Sequence, residues 1–147
     1  MNEVKYLVDN NALVALKRER IRSDFFQAMC RVTADVFFEA DQHPERAALA
    51  QIAEEHTPAF LEQIREVMRT VPSGDTRLID LYKNKGSADP GLIAWILASI
   101  AADDGMFFSD TWVLVTNDHA VAAKAAEFGV LSIKPEALAA VIDASQS

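Results

Sequence analysis

The stretch that decides the fold is Val4-Lys5-Tyr6-Leu7-Val8-Asp9-Asn10-Asn11-Ala12-Leu13-Val14-Ala15-Leu16. Its apolar run Tyr6-Leu7-Val8 is typical of a strand buried on both faces at the centre of a parallel sheet. From Asn10 onward the apolar residues take the spacing of a helix, so a helix follows the strand directly. Asp9 therefore stands at the carboxyl end of a central strand, where open α/β sheets bind ligands. The alternative is that Asp9 only caps the helix that follows.

Length and composition indicate one domain, 1–147, in a soluble protein. A chain of 147 residues is long enough for a single core. The one cysteine, Cys30, cannot form an internal disulfide, which fits a cytoplasmic protein. The N-terminus lacks the pattern of a secretory signal, and the apolar stretch from Gly91 to Ala102 is too short to span a bilayer. We therefore expect a cytoplasmic protein with no membrane partner.

The net charge of −8 bears on the partners of the protein. Nucleic-acid binders usually present a basic surface, because neutralisation of phosphates supplies much of their affinity. Simple nucleic-acid binding is therefore disfavoured. A cluster of carboxylates that binds divalent cations would itself make the formal charge strongly negative, so a metal-dependent nuclease remains compatible with this composition.

The rest of the chain alternates helices and strands. We expect helices over Ala34–Gln42, Pro44–Glu55, Pro58–Thr70, Thr76–Lys83, His119–Phe128 and Pro135–Ile142, a buried helix that starts at Asp89, and strands near Met29–Val32, Trp112–Val115 and Val130–Ile133. Strands separated by helices imply right-handed crossovers and a parallel sheet.

Four acidic side chains are expected at one edge of this sheet. Asp9 and Asp118 each follow an apolar strand, Asp89 opens the buried helix, and Glu39 can reach the same edge from its own helix. Four converging carboxylates repel one another strongly unless cations lie among them. Magnesium and manganese are the expected ions because they prefer hard oxygen ligands. The three histidines show no zinc spacing.

With these acids and their surroundings, the sequence resembles the PIN-domain family. The resemblance is carried by Tyr-Leu-Val-Asp-Asn-Asn-Ala-Leu around Asp9, Val-Phe-Phe-Glu-Ala around Glu39, Ser-Ala-Asp-Pro-Gly-Leu-Ile-Ala around Asp89, and Thr116-Asn117-Asp118. It covers essentially the whole chain. It implies a three-layer α/β/α sandwich with a central, mainly parallel sheet, and a metal-dependent nuclease that acts most often on RNA.

The resemblance also implies roles for particular residues. Carried over by position, Asp9, Glu39, Asp89 and Asp118 form the catalytic, Mg²⁺- or Mn²⁺-binding site, and Asn11 and Thr116 support it by hydrogen bonding. Bacterial members of this size are often VapC-like toxins, so a toxin–antitoxin pair, with an antitoxin protein as partner, is an expectation.

The expected reaction is metal-assisted hydrolysis of RNA phosphodiester bonds. The basic stretch Lys17-Arg18-Glu19-Arg20-Ile21-Arg22, together with Lys83 and Lys85, is the best candidate for steering the RNA strand. A solvated helix end is the alternative interpretation of that stretch.

Long apolar stripes between Pro44 and Thr70 predict a homodimer.

Three other functions compete with the toxin interpretation. One is a housekeeping PIN nuclease, and another is a catalytically silent PIN-like interaction module whose acids only cap helices. The third is a phosphotransferase of the haloacid dehalogenase kind, in which an aspartate after the first strand attacks phosphorus. That family expects a second aspartate two positions on, and Asn11 stands there instead.

Overall fold

The central sheet contains five strands, all parallel. The structure, a computed structural model, describes residues 3–70, 89–103 and 110–146. The strands are β1 (Val4–Val8), β2 (Cys30–Thr33), β3 (Ala53–Glu54), β4 (Thr111–Val115) and β5 (Leu131–Ile133). Their order in the sheet is β3-β2-β1-β4-β5, and every pairing is parallel. The predicted central position of β1 is confirmed.

Helices cover both faces of the sheet. They are α1 (Asn10–Leu16), α2 (Arg18–Ile21), α3 (Asp24–Met29), α4 (Ala34–Glu39), α5 (Arg46–Ala50), α6 (Pro58–Arg69), α7 (Asp89–Asp103), α8 (His119–Glu127) and α9 (Pro135–Ser145). α1 contacts α2, α4 and α9 in one layer, whereas α7 contacts α6 and α8 in the other. Right-handed crossovers place these two groups on opposite faces. The three-layer α/β/α class is therefore confirmed.

The core forms where the apolar patterns predict it. Leu7 and Val8 of β1 are fully buried, as are Leu92, Ile93 and Ile96 of α7. α7 is apolar on nearly every side because it packs against α6 and against β4. Despite this composition, no helix in the described ranges is long and apolar enough to cross a membrane.

The sheet has its topological switch point between β1 and β4. From β1 the chain proceeds through β2 to β3 on one side, whereas from β4 it proceeds to β5 on the other. Val8 is paired with Val115, and the N–H of Asp9 donates to the carbonyl of Val115 at 3.1 Å. The residues directly after these strands therefore meet at the carboxyl edge, in the crevice where open α/β sheets bind ligands.

Some predicted boundaries were wrong. The helix expected over Pro44–Glu55 is the short α5, followed by β3, whose Ala53 pairs with Val32 of β2. Alanine and glutamate favour a helix locally, but backbone pairing with the edge of β2 that faces away from β1 makes this segment a strand. α4 ends at Glu39, before the expected Gln42. The helix expected over Thr76–Lys83 lies outside the described residues.

Candidate functional site

Asp9 is a buried acid at the switch point. Its residue is 3% exposed, and its Oδ1 accepts a hydrogen bond from the N–H of Ala12 at 2.7 Å in the first turn of α1. The hydroxyl of Thr116, also buried, hydrogen-bonds to the Asp9 side chain. Burial raises the pKa of Asp9 above its ordinary value, and these two hydrogen bonds oppose the shift only in part. The site therefore disfavours the charge on Asp9.

Asp118 is the second acid at this edge. Its Oδ1 accepts hydrogen bonds from the N–H groups of Ala120 at 2.8 Å and Val121 at 3.1 Å, in the first turn of α8. Its own N–H donates to the hydroxyl oxygen of Thr116 at 3.1 Å. The negative charge of Asp118 further raises the pKa of Asp9. Thr116 thus connects the side chain of Asp9 to the backbone of Asp118, and the charges of the two aspartates repel each other.

Helix capping is real at both acids, but it does not require their charge. Ser23 caps α3 by accepting from Phe26 N–H at 3.1 Å, and Thr33 caps α4 by accepting from Val36 N–H at 3.2 Å. Neutral caps stabilise helices as well as acidic ones do. At the switch point, where burial penalises the charge of Asp9, the chain nevertheless carries an aspartate at that position and a second one beside it. This contrast favours a function for their charge beyond capping.

Glu39 lies at the far end of α4. This helix starts directly after β2, so it runs from the carboxyl edge of the sheet toward the opposite edge. Four residues of helix correspond to about 6 Å along the axis, which separates Glu39 from the first turn by that distance. Glu39 is half-buried. Its predicted role in the acidic site stays a prediction, since α4 carries it away from the edge.

Asp35, in the first turn of α4, is a further acid near the carboxyl edge that the sequence patterns did not single out. Its Oδ2 lies 3.0 Å from Nε2 of His56, and the His56 ring stacks on Phe60 with 4.0 Å between ring centroids. A Cβ added to Gly91 would lie 3.9 Å from the same Oδ2. Asp35 therefore lies beside the start of α7. The cap at Thr33 was the available signal, because it places position 35 in the first turn of a helix that begins at the carboxyl edge.

Asp89 begins α7, as predicted, but its side chain lies outside the described part of the structure. The contact between Asp35 and the position of Gly91 puts the start of this helix beside the first turn of α4. In the described residues, no three or more His, Cys, Asp or Glu side chains lie close enough together to hold a metal ion. The carboxylates of Asp9 and Asp118 are hard oxygen donors, whose chemistry fits Mg²⁺ or Mn²⁺.

Of the two predicted supporting residues, Thr116 is fixed at the edge by hydrogen bonds, and its supporting role stays a prediction. Its hydroxyl bonds to the side chain of Asp9 and to the N–H of Asp118, and its own N–H donates to the carbonyl of Ile133 at 3.1 Å. Asn11 is exposed in the first turn of α1. Its supporting role stays a prediction.

A cavity adjoins Asp118 at the carboxyl ends of β4 and β5. Its volume is about 200 Å³, and it is lined by Thr116, Asn117, Asp118, His119, Ala122, Ser132, Ile133 and Lys134. Lys134 is exposed there and follows β5 directly. Thr116 and Lys134 directly follow neighbouring strands, and the pairing of Val115 with Ile133 places them side by side. The candidate site thus has an acidic part and, beside it, a cationic one.

The predicted steering residues Lys17 to Arg22 lie at the opposite edge, because α1 runs away from Asp9 before reaching them. Arg20 binds Asp143 through two hydrogen bonds of 2.9 and 2.8 Å, and Arg18 binds Glu45 at 2.8 Å. These arginines therefore hold elements together. RNA steering by this stretch stays a prediction, and Lys83 and Lys85 lie outside the described residues.

The fold defines a doubly wound α/β/α protein with two aspartates at its switch point, of which Asp9 is buried and Asp118 is half-buried. It is similar to the crystal structure of PAE2754 from Pyrobaculum aerophilum, with a TM-score of 0.52 and 19% sequence identity, over 97% of this chain and 98% of that chain. At this identity the similarity establishes the fold alone. No protein-family model matches the sequence, and no curated protein matches it.

Proposed function

We propose that this protein is a PIN-like, Mg²⁺- or Mn²⁺-dependent endoribonuclease that hydrolyses RNA phosphodiester bonds in the cytoplasm. The observation that supports this proposal is the pair of aspartates joined by Thr116 at the switch point, one of them buried and with a raised pKa. Such an arrangement costs stability without a cation, and residues with perturbed pKa values in a crevice are typical of functional sites.

Each residue of the site has a distinct task in this proposal. Asp9 and Asp118 would hold the ion. Each carboxylate is oriented by the helix N–H groups that it caps, and Thr116 also bonds to the carboxylate of Asp9. When bound, a divalent cation lowers the pKa of water and offsets the charge that develops on the phosphate. Burial of Asp9 keeps bulk water away, which strengthens the electrostatic attraction between carboxylate and cation.

Further acids would strengthen the site. Asp89 and either Asp35 or Glu39 are the candidates, and Asp35 is favoured because it lies beside the start of α7. Mg²⁺ keeps several waters and is usually bound by one or two carboxylates together with substrate phosphates, and each further acid nearby adds to the charge that attracts the ion.

The test is cleavage of a labelled single-stranded RNA by purified protein in Mn²⁺, compared with the Asp9→Asn and Asp118→Asn variants. Asparagine keeps the capping oxygen and removes the charge, so both variants are expected to fold and to lose about a hundredfold or more in rate. Asp24→Asn, an exposed acid in the first turn of α3, is the matched control and retains activity. Unchanged cleavage by Asp9→Asn would refute the proposal.

An interaction module without catalysis is the second candidate, favoured by the caps that Asp9 and Asp118 form. Melting curves with and without Mn²⁺ separate the two. An ion that binds only the folded state raises the melting temperature, whereas aspartates that only cap helices give no response to metal.

We further propose that the protein forms a homodimer and, if it is a toxin, binds an antitoxin protein. What supports association is Leu61, which belongs to the predicted apolar stripes and is 66% exposed on α6. Sedimentation at micromolar concentration tests the dimer. Co-purification with the product of a neighbouring gene tests the antitoxin, and the absence of such a gene favours a housekeeping nuclease.

A further inference from the structure

The cavity beside Asp118 has walls and a rim of different chemistry. Ala122 and Ile133 supply apolar wall, and the methyl group of Thr116 adds to it. Asn117, His119 and Lys134 line the same cavity with polar groups and are all exposed. An apolar wall with a few polar groups at its rim is typical of a site for a small, flat molecule with hydrogen-bonding edges.

The size of the cavity limits its occupant to a single ring system. Its volume is about 200 Å³. An apolar cavity of roughly 150 Å³ is sufficient for benzene. A nucleobase fits this description, because it is flat and its edges carry donors and acceptors that a carboxamide such as Asn117 can pair with.

Lys134 adds a cation where the fold is otherwise acidic. Most other cations of the described chain are engaged: Arg20 with Asp143, Arg31 with Glu54, and Lys124 with Glu127. The side chain of Lys134 forms no hydrogen bond or ion pair with any residue that the structure describes, and it is exposed at the carboxyl edge. A phosphate attached to a base in the cavity would be within the reach of this flexible side chain.

We propose that this cavity binds one nucleobase of single-stranded RNA adjacent to the cleaved bond, and that Lys134 contacts a flanking phosphate. The inference rests on the proposed nuclease function and makes it more specific. The enzyme then has a base preference at one position beside the cut, and it requires unpaired RNA, because a base within a duplex cannot enter the cavity.

The first experiment measures binding without cleavage. Fluorescence anisotropy follows a labelled single-stranded hexaribonucleotide in EDTA, with wild type, Ala122→Leu and Ala126→Leu. Leucine at 122 fills the cavity, so affinity is expected to fall about tenfold, as for the loss of one stacked base. Ala126 is exposed on the same helix and lines no part of the cavity, so its variant binds as wild type. Equal affinity of Ala122→Leu and wild type overturns the proposal.

Two milder variants keep the test decisive if Ala122→Leu folds poorly. Asn117→Ala removes an exposed rim side chain and is expected to weaken binding severalfold. Lys134→Gln is expected to reduce the slope of log affinity against log salt by about one, the value for a single phosphate contact. If both variants bind the hexanucleotide as wild type does, with an unchanged salt slope, the cavity is not an RNA subsite.

The second experiment separates the subsite from the chemistry. Hydrolysis of bis(p-nitrophenyl) phosphate in Mn²⁺ tests the acidic site without a base, and sequencing of products from random RNA measures base preference at the cut. We expect a preference in wild type that Ala122→Leu weakens and Ala126→Leu retains. If the small diester is not hydrolysed but the binding result holds, the nuclease proposal fails and the subsite stands. If the small diester is hydrolysed but wild type shows no base preference at the cut, the subsite proposal fails and the nuclease proposal stands.

Discussion

The carboxylate of Asp118 lies close enough to that of Asp9 to raise the pKa of Asp9, although both carboxylates are already bonded to helix N–H groups. Two like charges are thus held together by the ends of two neighbouring parallel strands. Burial of Asp9 contributes most to the shift, and the charge of Asp118 adds to it. The folded protein therefore stores a repulsion that protonation, charge removal or a bound cation can relieve.

The first prediction concerns stability at this pair. Because the pKa of Asp9 is higher in the folded chain than its ordinary value of 3.8, the folded state binds the proton more tightly than the unfolded state does. Stability from this group therefore falls as the pH rises from about 3.8 through the raised pKa of the folded state, and stays lower above it. Without metal, we expect Asp9→Asn to melt at a higher temperature than wild type near neutral pH.

Addition of Mn²⁺ is expected to reverse that order. The ion stabilises wild type by mass action, whereas Asp9→Asn lacks the charge that holds it and shows a much smaller shift. Thermal melts of wild type, Asp9→Asn and Asp24→Asn, with and without millimolar Mn²⁺, measure both effects. If metal-free Asp9→Asn melts below wild type, the charge of Asp9 stabilises the helix cap by more than its burial and its repulsion from Asp118 destabilise the fold.

The second prediction concerns the hydroxyl that joins the two acids. Thr116→Val keeps the shape of the side chain but removes its hydrogen bonds to Asp9 and to the N–H of Asp118. Since the hydrogen bond from Thr116 lowers the pKa of Asp9, its loss raises that pKa further. We expect the acidic limb of the pH–rate profile to move to higher pH, and stability to fall by about 1–3 kcal/mol.

Thr116→Ser is the matched rescue, because serine restores the hydroxyl without the methyl group. Its pH–rate profile should return to that of wild type, even if packing loss lowers its melting temperature. If Thr116→Val and wild type share one profile, the hydroxyl does not control the ionisation of the site.

The third prediction identifies the acid supplied by α4. Asp35 lies in the first turn beside the start of α7, whereas Glu39 ends the helix about one turn further from the edge. We expect Asp35→Asn to lower cleavage of RNA about a hundredfold and Glu39→Gln to lower it less than about threefold. Rates at saturating Mn²⁺ decide between the two acids. The reverse order would restore Glu39 to the position that the resemblance gave it.

Sequence patterns predicted the central strands of the sheet, which end at Asp9 and before Asp118, better than the outer strand β3. The apolar runs before Asp9 and Asp118 define central strands by themselves, since burial on both faces requires an unbroken run of apolar residues. β3 was missed because two residues, Ala53 and Glu54, carry no strand pattern and pair only through contact with β2.

The acids on helices were harder to assign than those on strands. An aspartate directly after a strand has its place fixed by the sheet, whereas the direction of a helical side chain depends on where the helix begins and ends. α4 is shorter than its apolar spacing predicts and ends at Glu39. The ion pairs of Arg18 with Glu45 and of Arg20 with Asp143 could not be read from the sequence either, because these partners lie far along the chain.

The last prediction concerns backbone strain at Lys17, between α1 and α2. Its φ of 70° and ψ of 161° lie in a region that is populated almost only by glycine. Such a conformation costs about 1–3 kcal/mol. Substitution by glycine removes this strain, but part of the stabilisation is offset because glycine loses more conformational entropy on folding. We therefore expect Lys17→Gly to stabilise the protein by about 1 kcal/mol and to raise its melting temperature by about 2–4 °C. Lys17→Ala removes the same charge but keeps the strain, so its melting temperature should match that of wild type. Equal stabilisation by both substitutions would instead assign the effect to the lysine charge.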